Sequence, residues 1–254
     1  MLDAFQKFLE IRQAIKSEIG VAPYNWFELP NSVDIDWLAY SLMLDEHARE
    51  LANSLNEMRQ FIVNLKAWSE VLEETGEDLE RKHFIIYEFV CPLATLALNL
   101  PYVIRSRFFY SIAHLCHQAN RVDESQWSDD DLPIDSKIYQ EQADLHGKSW
   151  IKYQKLKCAL EKVCNKEYQR DTLDFRNKYN HRYSPRIEIG ITSLVTRNVD
   201  MHGFVSYGFG GIEPLKLKNL IPLLERQHSE LMLTFSLYKE LVYEQLVAIS
   251  KNNA

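Results

Sequence analysis

Apolar residues recur every three or four positions over most of the chain, which is the period of an amphipathic α-helix. The longest such stretch begins after Ser32 or Asp34, either of which would cap a helix, and continues to Thr75 and Gly76 without a breaker. Its apolar residues lie close to one stripe: Leu38, Leu42, Leu51, Leu55, Met58, Ile62, Leu65 and Leu72. A helix of that length needs partners along most of it, so the pattern predicts a helical bundle or an oligomer.

Further helical patterns cover residues 3–19, about 78–120, 137–165, 166–183 and 215–250. An acidic connection that contains Pro133 joins Val122 to Ser136. It is typical either of a linker or of a surface loop within one domain. We therefore expect a single helical domain over residues 1–254, with an internal division at 122–136 as the alternative.

After Pro185 the hydrophobic period changes from 3.6 to about 2. Two short strands are predicted, one within residues 187–195 and one within 204–207, joined around residues 198–203. Gly208, Gly210 and Gly211 then close a hairpin. The fold class expected from the sequence is mainly α, a long-helix bundle with a small β-hairpin inserted before the C-terminal helix.

Composition and charge narrow the classes of function. Hydrophobic residues make up 46% and charged residues 26%, as in an ordinary soluble globular protein. The net charge of −7 argues against a broadly basic nucleic-acid-binding surface, so any RNA contact would need a local basic patch. The four cysteines show no close paired spacing, which indicates reduced, buried thiols in a cytoplasmic protein.

One apolar run raises the question of a membrane. Residues 84–104 carry a single charge, Glu88, and are long enough to cross a bilayer. Pro92, Asn99 and Pro101 interrupt the run, and no basic cluster flanks it. The pattern favours a buried core helix, bent at the two prolines, and no membrane association.

The stretch 174–185 contains the main candidate chemistry. Arg176, Asn177 and His181 lie near the end of a predicted helix that Pro185 must terminate. Asn177 and His181 are four residues apart and share a face, and the long Arg176 side chain can reach the same edge. A guanidinium matches phosphate oxygens, and an imidazole transfers protons near neutral pH. The pattern therefore suggests cleavage of a phosphodiester.

Neighbouring residues favour an RNA substrate. Lys178, Arg182 and Arg186 add positive charge in an otherwise acidic chain, as a phosphate site requires. Tyr179 and Tyr183 offer rings on which bases can stack. We therefore expect Lys178, Tyr179, Arg182 and Arg186 to bind RNA.

The segment from Arg176 to His181 resembles the signature of the HEPN superfamily, an Arg, often followed by Asn, and then a His after four to six residues. The resemblance implies a helical bundle that forms a homodimer with the motifs of both protomers facing one groove. In active members it implies metal-independent RNA cleavage by attack of the 2′-hydroxyl. His181 would be the acid–base group, Arg176 would stabilise charge on the phosphorane, and Asn177 would orient one of them.

His181-Arg182-Tyr183 extends the match to the form seen in some HEPN toxins. The resemblance implies modification of Tyr183 by a nucleotidyltransferase-type antitoxin. The expected function is thus a ribonuclease in toxin–antitoxin or antiphage defence. The alternative is a non-catalytic HEPN-like module for dimerisation, nucleotide binding or partner binding. A third interpretation, with Arg176, His181 and Arg182 as a solvated helix end paired with Asp171 and Asp174, also remains open.

Other motifs are interpreted structurally. Arg197 and His202 repeat the spacing of the motif, but their surroundings predict a surface turn. His114 and His117 lie three apart on one helix face, as zinc ligands can, yet no carboxylate or second cluster lies nearby in the sequence. A core or interface pair is the better interpretation, so neither a metal nor a cofactor is predicted.

Overall fold

Each predicted helical pattern contains at least one helix in a computed structural model that describes residues 2–15, 20–27, 35–123 and 127–252. The molecule is mainly α, with one antiparallel hairpin before the last helix, and this confirms the predicted fold class. The helices are α1 (Leu2–Ala14), α2 (Leu38–Glu74), α3 (Leu79–Ile85), α4 (Cys91–Ala119), α5 (Gln140–Gly147), α6 (Tyr153–Lys162), α7 (Lys166–Asp171), α8 (Phe175–His181) and α9 (Leu217–Asn252). The strands are β1 (Val195–Val199) and β2 (Val205–Phe209).

The long helix α2 ends where the sequence predicted. Gly76 follows it with φ +65, a left-handed conformation that costs glycine little and stops the helix. The Thr75 amide still donates to the Val71 carbonyl at 3.1 Å. Ser32 and Asp34, the predicted N-terminal caps, lie outside the described residues.

A widened turn links α3 to α4. Asp78 caps α3 by accepting a hydrogen bond of 3.0 Å from the Arg81 amide. Residues Ile86–Val90 form a π-helical turn, in which the Cys91 amide donates to the carbonyl of Ile86, five residues earlier. This turn comes directly before Pro92, which cannot donate to a carbonyl in the preceding turn, so the wider geometry accommodates the proline.

The predicted helices 137–165 and 166–183 are wrong in extent, because each is broken into shorter pieces. Asn165 starts α7 by accepting a hydrogen bond of 2.9 Å from the Tyr168 amide. Just before it, Cys164 has φ 53, and Leu173 and Asp174 have φ 54 and 55 between α7 and α8. A left-handed residue ends a right-handed helix, and these non-glycine residues give no breaker signal in the sequence.

The predicted hairpin is confirmed, but β1 starts later than expected. Strand pairing is antiparallel, with Val195 opposite Phe209 and Val199 opposite Val205. Glu188, Gly190 and Ser193 have φ 62, 93 and 57, which breaks the extended backbone that alternation over 187–195 predicted.

Asp200 builds the turn of this hairpin. Its carboxylate accepts from the amides of His202 at 2.8 Å and Phe204 at 2.9 Å. Gly203, at φ +84, donates to the Asp200 carbonyl at 3.1 Å. An Asx-type turn with one left-handed glycine therefore reverses the chain.

The chain divides into two compact units. Unit 1 contains Met1–Glu18, Gln60–Asn99 and Cys164–Arg226, and unit 2 contains Ile19–Arg59, Leu100–Val163 and Gln227–Ala254. Helices α2, α4 and α9 each contribute residues to both units. The acidic connection 122–136 lies within unit 2, and a division there remains a prediction.

An aromatic stack lies in unit 1. The Trp68 indole, 3% exposed, is sandwiched between Phe8 at 4.4 Å and Phe89 at 4.5 Å, measured between ring centroids. Buried aromatic pairs of this kind stabilise a core beyond the area they bury. In the same unit, the Arg12 guanidinium on α1 donates a hydrogen bond of 2.7 Å to Asn64 Oδ1 on α2 and so connects the two helices.

Unit 2 encloses a buried polar network. The Tyr40 hydroxyl donates to Gln245 Oε1 at 2.9 Å, and Gln245 Nε2 donates to Cys116 Sγ at 3.2 Å. Burial raises the pKa of the Cys116 thiol, which keeps it protonated and unreactive. All four cysteines are free thiols, but Cys158 is exposed and Cys91 is half-buried, so the prediction that all are buried holds only for Cys116 and Cys164.

The stretch Leu79–Val122 is long and apolar enough to cross a membrane, with a mean hydropathy of 1.5 in its best window. Of that window, 44% is buried inside the protein. The buried residues of this stretch include Ala94, Ala97, Ile104 and Phe108, each with no exposed area. This face of the helix is therefore core.

Candidate functional site

The motif lies on α8, a short helix of unit 1 that one aromatic residue anchors. Phe175, the first residue of α8, is 2% exposed, and the Tyr179 ring stacks on it at 5.7 Å with an interplanar angle of 10°. Residues four apart lie on the same side of a helix, so Tyr179 shares the face of α8 on which Phe175 is buried, although Tyr179 itself is exposed. The opposite face is turned outward.

Arg176, Asn177 and His181 are all exposed. At 3.6 residues per turn, Asn177 and His181 are separated by about 40° around the helix axis, and Arg176 and His181 by about 140°. Asn177 and His181 thus lie side by side, whereas Arg176 flanks them. One protomer can bring the guanidinium to the imidazole only by folding the Arg176 side chain across Asn177.

The acidic residues near the motif are engaged with other groups. Asn177 Nδ2 donates to Asp174 Oδ2 at 2.9 Å, so this amide steadies the start of α8. Asp171 pairs with Arg170 at 2.9 Å and with Arg226 at 3.6 Å. The interpretation of Arg176, His181 and Arg182 as a solvated helix end paired with Asp171 and Asp174 stays a prediction. The expected role of Asn177 towards Arg176 or His181 stays a prediction.

The predicted RNA-binding residues surround the end of α8. Tyr179 and Arg182 are exposed, and Lys178 is half-buried. The helix ends as the Arg182 amide donates to the Lys178 carbonyl at 2.7 Å, after which Arg182 adopts an extended conformation. Tyr183, the predicted modification site, is 89% exposed. Its hydroxyl is therefore accessible to another protein.

The backbone of Arg186, the remaining predicted RNA-binding residue, is hydrogen-bonded to the segment just before α9. Its carbonyl accepts from the Leu215 amide at 2.8 Å.

Unit 1 also contains a basic cavity that the sequence did not predict. The cavity has a volume of about 400 Å³ and is lined partly by Lys82, His83, Lys216 and Lys218. Lysines at this density favour a phosphate-bearing ligand. They come from sequence positions more than a hundred residues apart, so no local motif signals them.

Glu188, which lines the cavity together with Glu73, partly neutralises it. Its carboxylate accepts from the Leu217 amide at the start of α9, and Lys216 Nζ donates to its carbonyl. A carboxylate at this position is favoured by the positive end of the helix dipole. Lys82 and Lys218 are therefore the better candidates for contact with an added phosphate.

The histidines of α4 do have carboxylate neighbours, contrary to the expectation from sequence. His114 Nε2 lies 3.4 Å from Asp135 Oδ1, and His117 Nε2 lies 3.5 Å from Asp129 Oδ1. Burial lowers the pKa of His114, although Asp135 opposes this shift. Among the residues that the structure describes, no group of three or more His, Cys, Asp or Glu side chains is arranged to hold a metal ion.

The second copy of the spacing is split between two structural elements. Arg197 lies in β1 opposite Tyr207, so the predicted surface turn is wrong for this residue. His202 lies in the turn itself, as predicted, and both side chains are exposed. Neither residue lies on a helix, in contrast to the first copy.

The resemblance to the HEPN signature, which stays a prediction, covers residues 176–181, with Tyr183 extending it. Residues 176–181 lie in α8, and Tyr183 lies two residues after the end of that helix. No family model, curated protein or solved structure matches the chain.

Proposed function

We propose that this protein is a HEPN-type, metal-independent endoribonuclease. The observation that carries the proposal is the exposed Asn177–His181 pair on one side of α8, with His181 at the end of the helix and the exposed Arg176 on the same helix. The proposed setting is a cytoplasmic toxin or antiphage-defence effector that acts as a homodimer.

The backbone around α8 supports the proposal. Leu173 and Asp174 are consecutive left-handed residues directly before the motif. Non-glycine residues in this conformation cost about 1–3 kcal/mol each and occur preferentially at functional sites. Their strain fixes the direction in which α8 leaves α7 and hence the direction in which His181 is presented.

The chemistry assigned to each residue is simple. His181 removes the proton from a ribose 2′-hydroxyl, and the 2′-oxygen attacks the adjacent phosphorus. The bond from phosphorus to the 5′-oxygen breaks, and the imidazolium returns its proton to that oxygen. Arg176 stabilises the negative charge of the phosphorane through its guanidinium. The products are a 2′,3′-cyclic phosphate and a 5′-hydroxyl.

Cleavage of single-stranded RNA in EDTA tests the proposal. We expect 2′,3′-cyclic ends from the wild type and a fall in rate of about 10²–10⁴-fold for His181→Ala, the usual contribution of a general acid–base group. Arg176→Ala should lower the rate as well, because the phosphorane loses its counter-charge.

The matched control is His202→Ala. His202 is also exposed but lies in the hairpin turn, so this variant should cleave like the wild type. Cleavage that survives His181→Ala, or that falls equally in His202→Ala, would contradict the proposed role of His181.

The second candidate is a non-catalytic module for dimerisation, nucleotide binding or partner binding. The exposed apolar side chains of β1 and β2 favour it, because such surfaces commonly contact other proteins. Under this candidate the wild type would show no cleavage and no toxicity when expressed, and Arg176→Ala cells would grow equally well.

The exposure of Tyr183 supports a further part of the proposal. A nucleotidyltransferase-type antitoxin would transfer a nucleotide to its hydroxyl. Two residues after His181, the added phosphate would place negative charge close to the groove in which RNA binds. Repulsion between the two phosphates would then inhibit cleavage.

A further inference from the structure

The β-hairpin of unit 1 has two chemically different faces. Side chains alternate along a strand, so the pairs Val195–Phe209, Arg197–Tyr207 and Val199–Val205 share one face. We call this set the apolar face. The other face carries Thr196, Asn198, Ser206 and Gly208.

Both faces are exposed, and the apolar face is the unusual one. Phe209 is 85% and Tyr207 58% exposed, and the three valines are each about half exposed. Within the described part of the chain, every residue of both strands belongs to the exposed class. A two-stranded hairpin is marginally stable alone and needs a partner for its apolar side.

The area of this face is close to what a dimer needs. With about 150–250 Å² per aromatic side chain, Tyr207 and Phe209 together expose on the order of 300 Å². The three valines and Arg197 roughly double that figure. Complete coverage of two such faces would bury at most about 1,200 Å², which is the lower bound for specific, stable interfaces.

We propose that the apolar face binds the same face of a second copy of this chain. A two-fold axis parallel to the strands places β1 of one copy opposite β2 of the other. Arg197 then faces Tyr207 of the second copy, Val195 faces Phe209, and Val199 faces Val205. Each contact occurs twice, as a closed two-fold interface requires.

The residues on this face complement one another in this arrangement. The large Phe209 ring meets the small Val195, so the two faces interlock. The Arg197 guanidinium lies over a tyrosine ring, an attractive geometry for a cation. It also avoids placing the two Arg197 side chains against each other. The face is therefore self-complementary, which is why the proposed occupant is a second copy.

Sedimentation velocity over a range of protein concentrations tests this proposal. We expect a monomer–dimer equilibrium for the wild type and at least a tenfold higher dissociation constant for Val199→Asp. The matched control is Asn198→Asp, the adjacent residue on the opposite face, which should dimerise like the wild type. Because both side chains are exposed, neither change should alter the thermal midpoint of the monomer.

An exchange of residues tests the arrangement itself. Tyr207→Arg alone should weaken dimerisation, because guanidinium groups then face each other across the interface. Arg197→Tyr alone replaces the cation–ring contact by two tyrosines and should also weaken it. The double variant restores an Arg–Tyr contact and should recover most of the affinity.

A wild type that stays monomeric at all concentrations would overturn the proposal, as would a dimer that Val199→Asp leaves intact. Equal weakening by Asn198→Asp would also overturn it, because the effect would not belong to the apolar face. This interface would form the proposed homodimer, so the assignment rests on that part of the proposed function. RNA cleavage is lost through His181→Ala, and dimerisation through Val199→Asp, so the two can fail separately.

Discussion

At the scale of single residues, His228 on α9 shows how burial sets the charge state of a histidine. The residue is 1% exposed, and its Nε2 atom has no hydrogen-bond partner among the described residues. Burial lowers the pKa of His228 to about 4, and the nearby Arg59 acts in the same direction. The imidazole is therefore neutral in the folded protein near pH 7.

This shift makes stability depend on pH. Between pH 6.5 and 4 the unfolded chain binds a proton at His228 that the folded chain does not, so the free energy of unfolding falls as pH is lowered. The full loss is on the order of 3 kcal/mol for this one group. Urea unfolding followed by circular dichroism should show a smaller loss between pH 7 and pH 4 in His228→Leu.

The control for that measurement is His202→Leu, which replaces an exposed histidine and keeps His228, so it should retain the stability loss that the buried imidazole of His228 causes. His47, whose pKa burial also lowers to about 4, stays in both variants and accounts for part of the remaining slope. Identical slopes in wild type and His228→Leu would contradict the assignment.

At the scale of elements, the end of α2 isolates the role of one glycine. Gly76 has φ +65, and an added Cβ would meet no atom within 4 Å. Gly76→Ala therefore introduces no clash and changes only how readily this residue adopts the left-handed backbone conformation. We expect the free energy of unfolding to fall by about 1–2 kcal/mol. Urea unfolding should show this loss, while Gly210→Ala, with equally open space but no positive φ, should be close to neutral.

Sequence patterning predicted the elements that have regular signals. The apolar stripe and Gly76 defined α2, and Pro185 marked the end of the motif segment. The breaks around Cys164 and Leu173 were missed because those residues adopt left-handed backbone without being glycine. Tertiary packing imposes such conformations, and a propensity scale cannot anticipate them.

The candidate site was predictable from the sequence only where its residues lie close together in the chain. Asn177 and His181 share a face as their spacing requires, because spacing alone fixes that angle. The basic cavity was not predictable, since Lys82 and Lys218 meet only through the fold. The carboxylates beside His114 and His117 were missed for the same reason: Asp135 and Asp129 come from the loop after α4.

At the scale of the whole molecule, charge is distributed unevenly. The chain carries a net charge of −7, yet unit 1 contains Lys178, Arg182 and Arg186 around the motif and Lys82 and Lys218 at the cavity. RNA would be repelled by most of the surface and attracted by this part. Binding should therefore be local and strongly dependent on salt.

The number of phosphate contacts sets the expected salt dependence of RNA binding. Each phosphate neutralised on a single strand changes the logarithm of the binding constant by about −0.7 per logarithm of salt concentration, so five contacts give a slope of about −3.5. The binding constant should be measured on the His181→Ala variant, so that the RNA is not cleaved. When Lys82→Gln and Lys218→Gln are added to that variant, the slope should become shallower, changing from about −3.5 to about −2. Lys251→Gln, an exposed lysine of unit 2, should not change it.

The stack of Phe8, Trp68 and Phe89 gives unit 1 a natural optical probe. The chain has five tryptophans, and Trp68 is the one that belongs to unit 1. Shielded from water between two rings, it should fluoresce at short wavelength in the native protein and shift to the red when the sandwich opens. Replacing the other four tryptophans by phenylalanine would leave an emission spectrum that follows the melting of unit 1 alone.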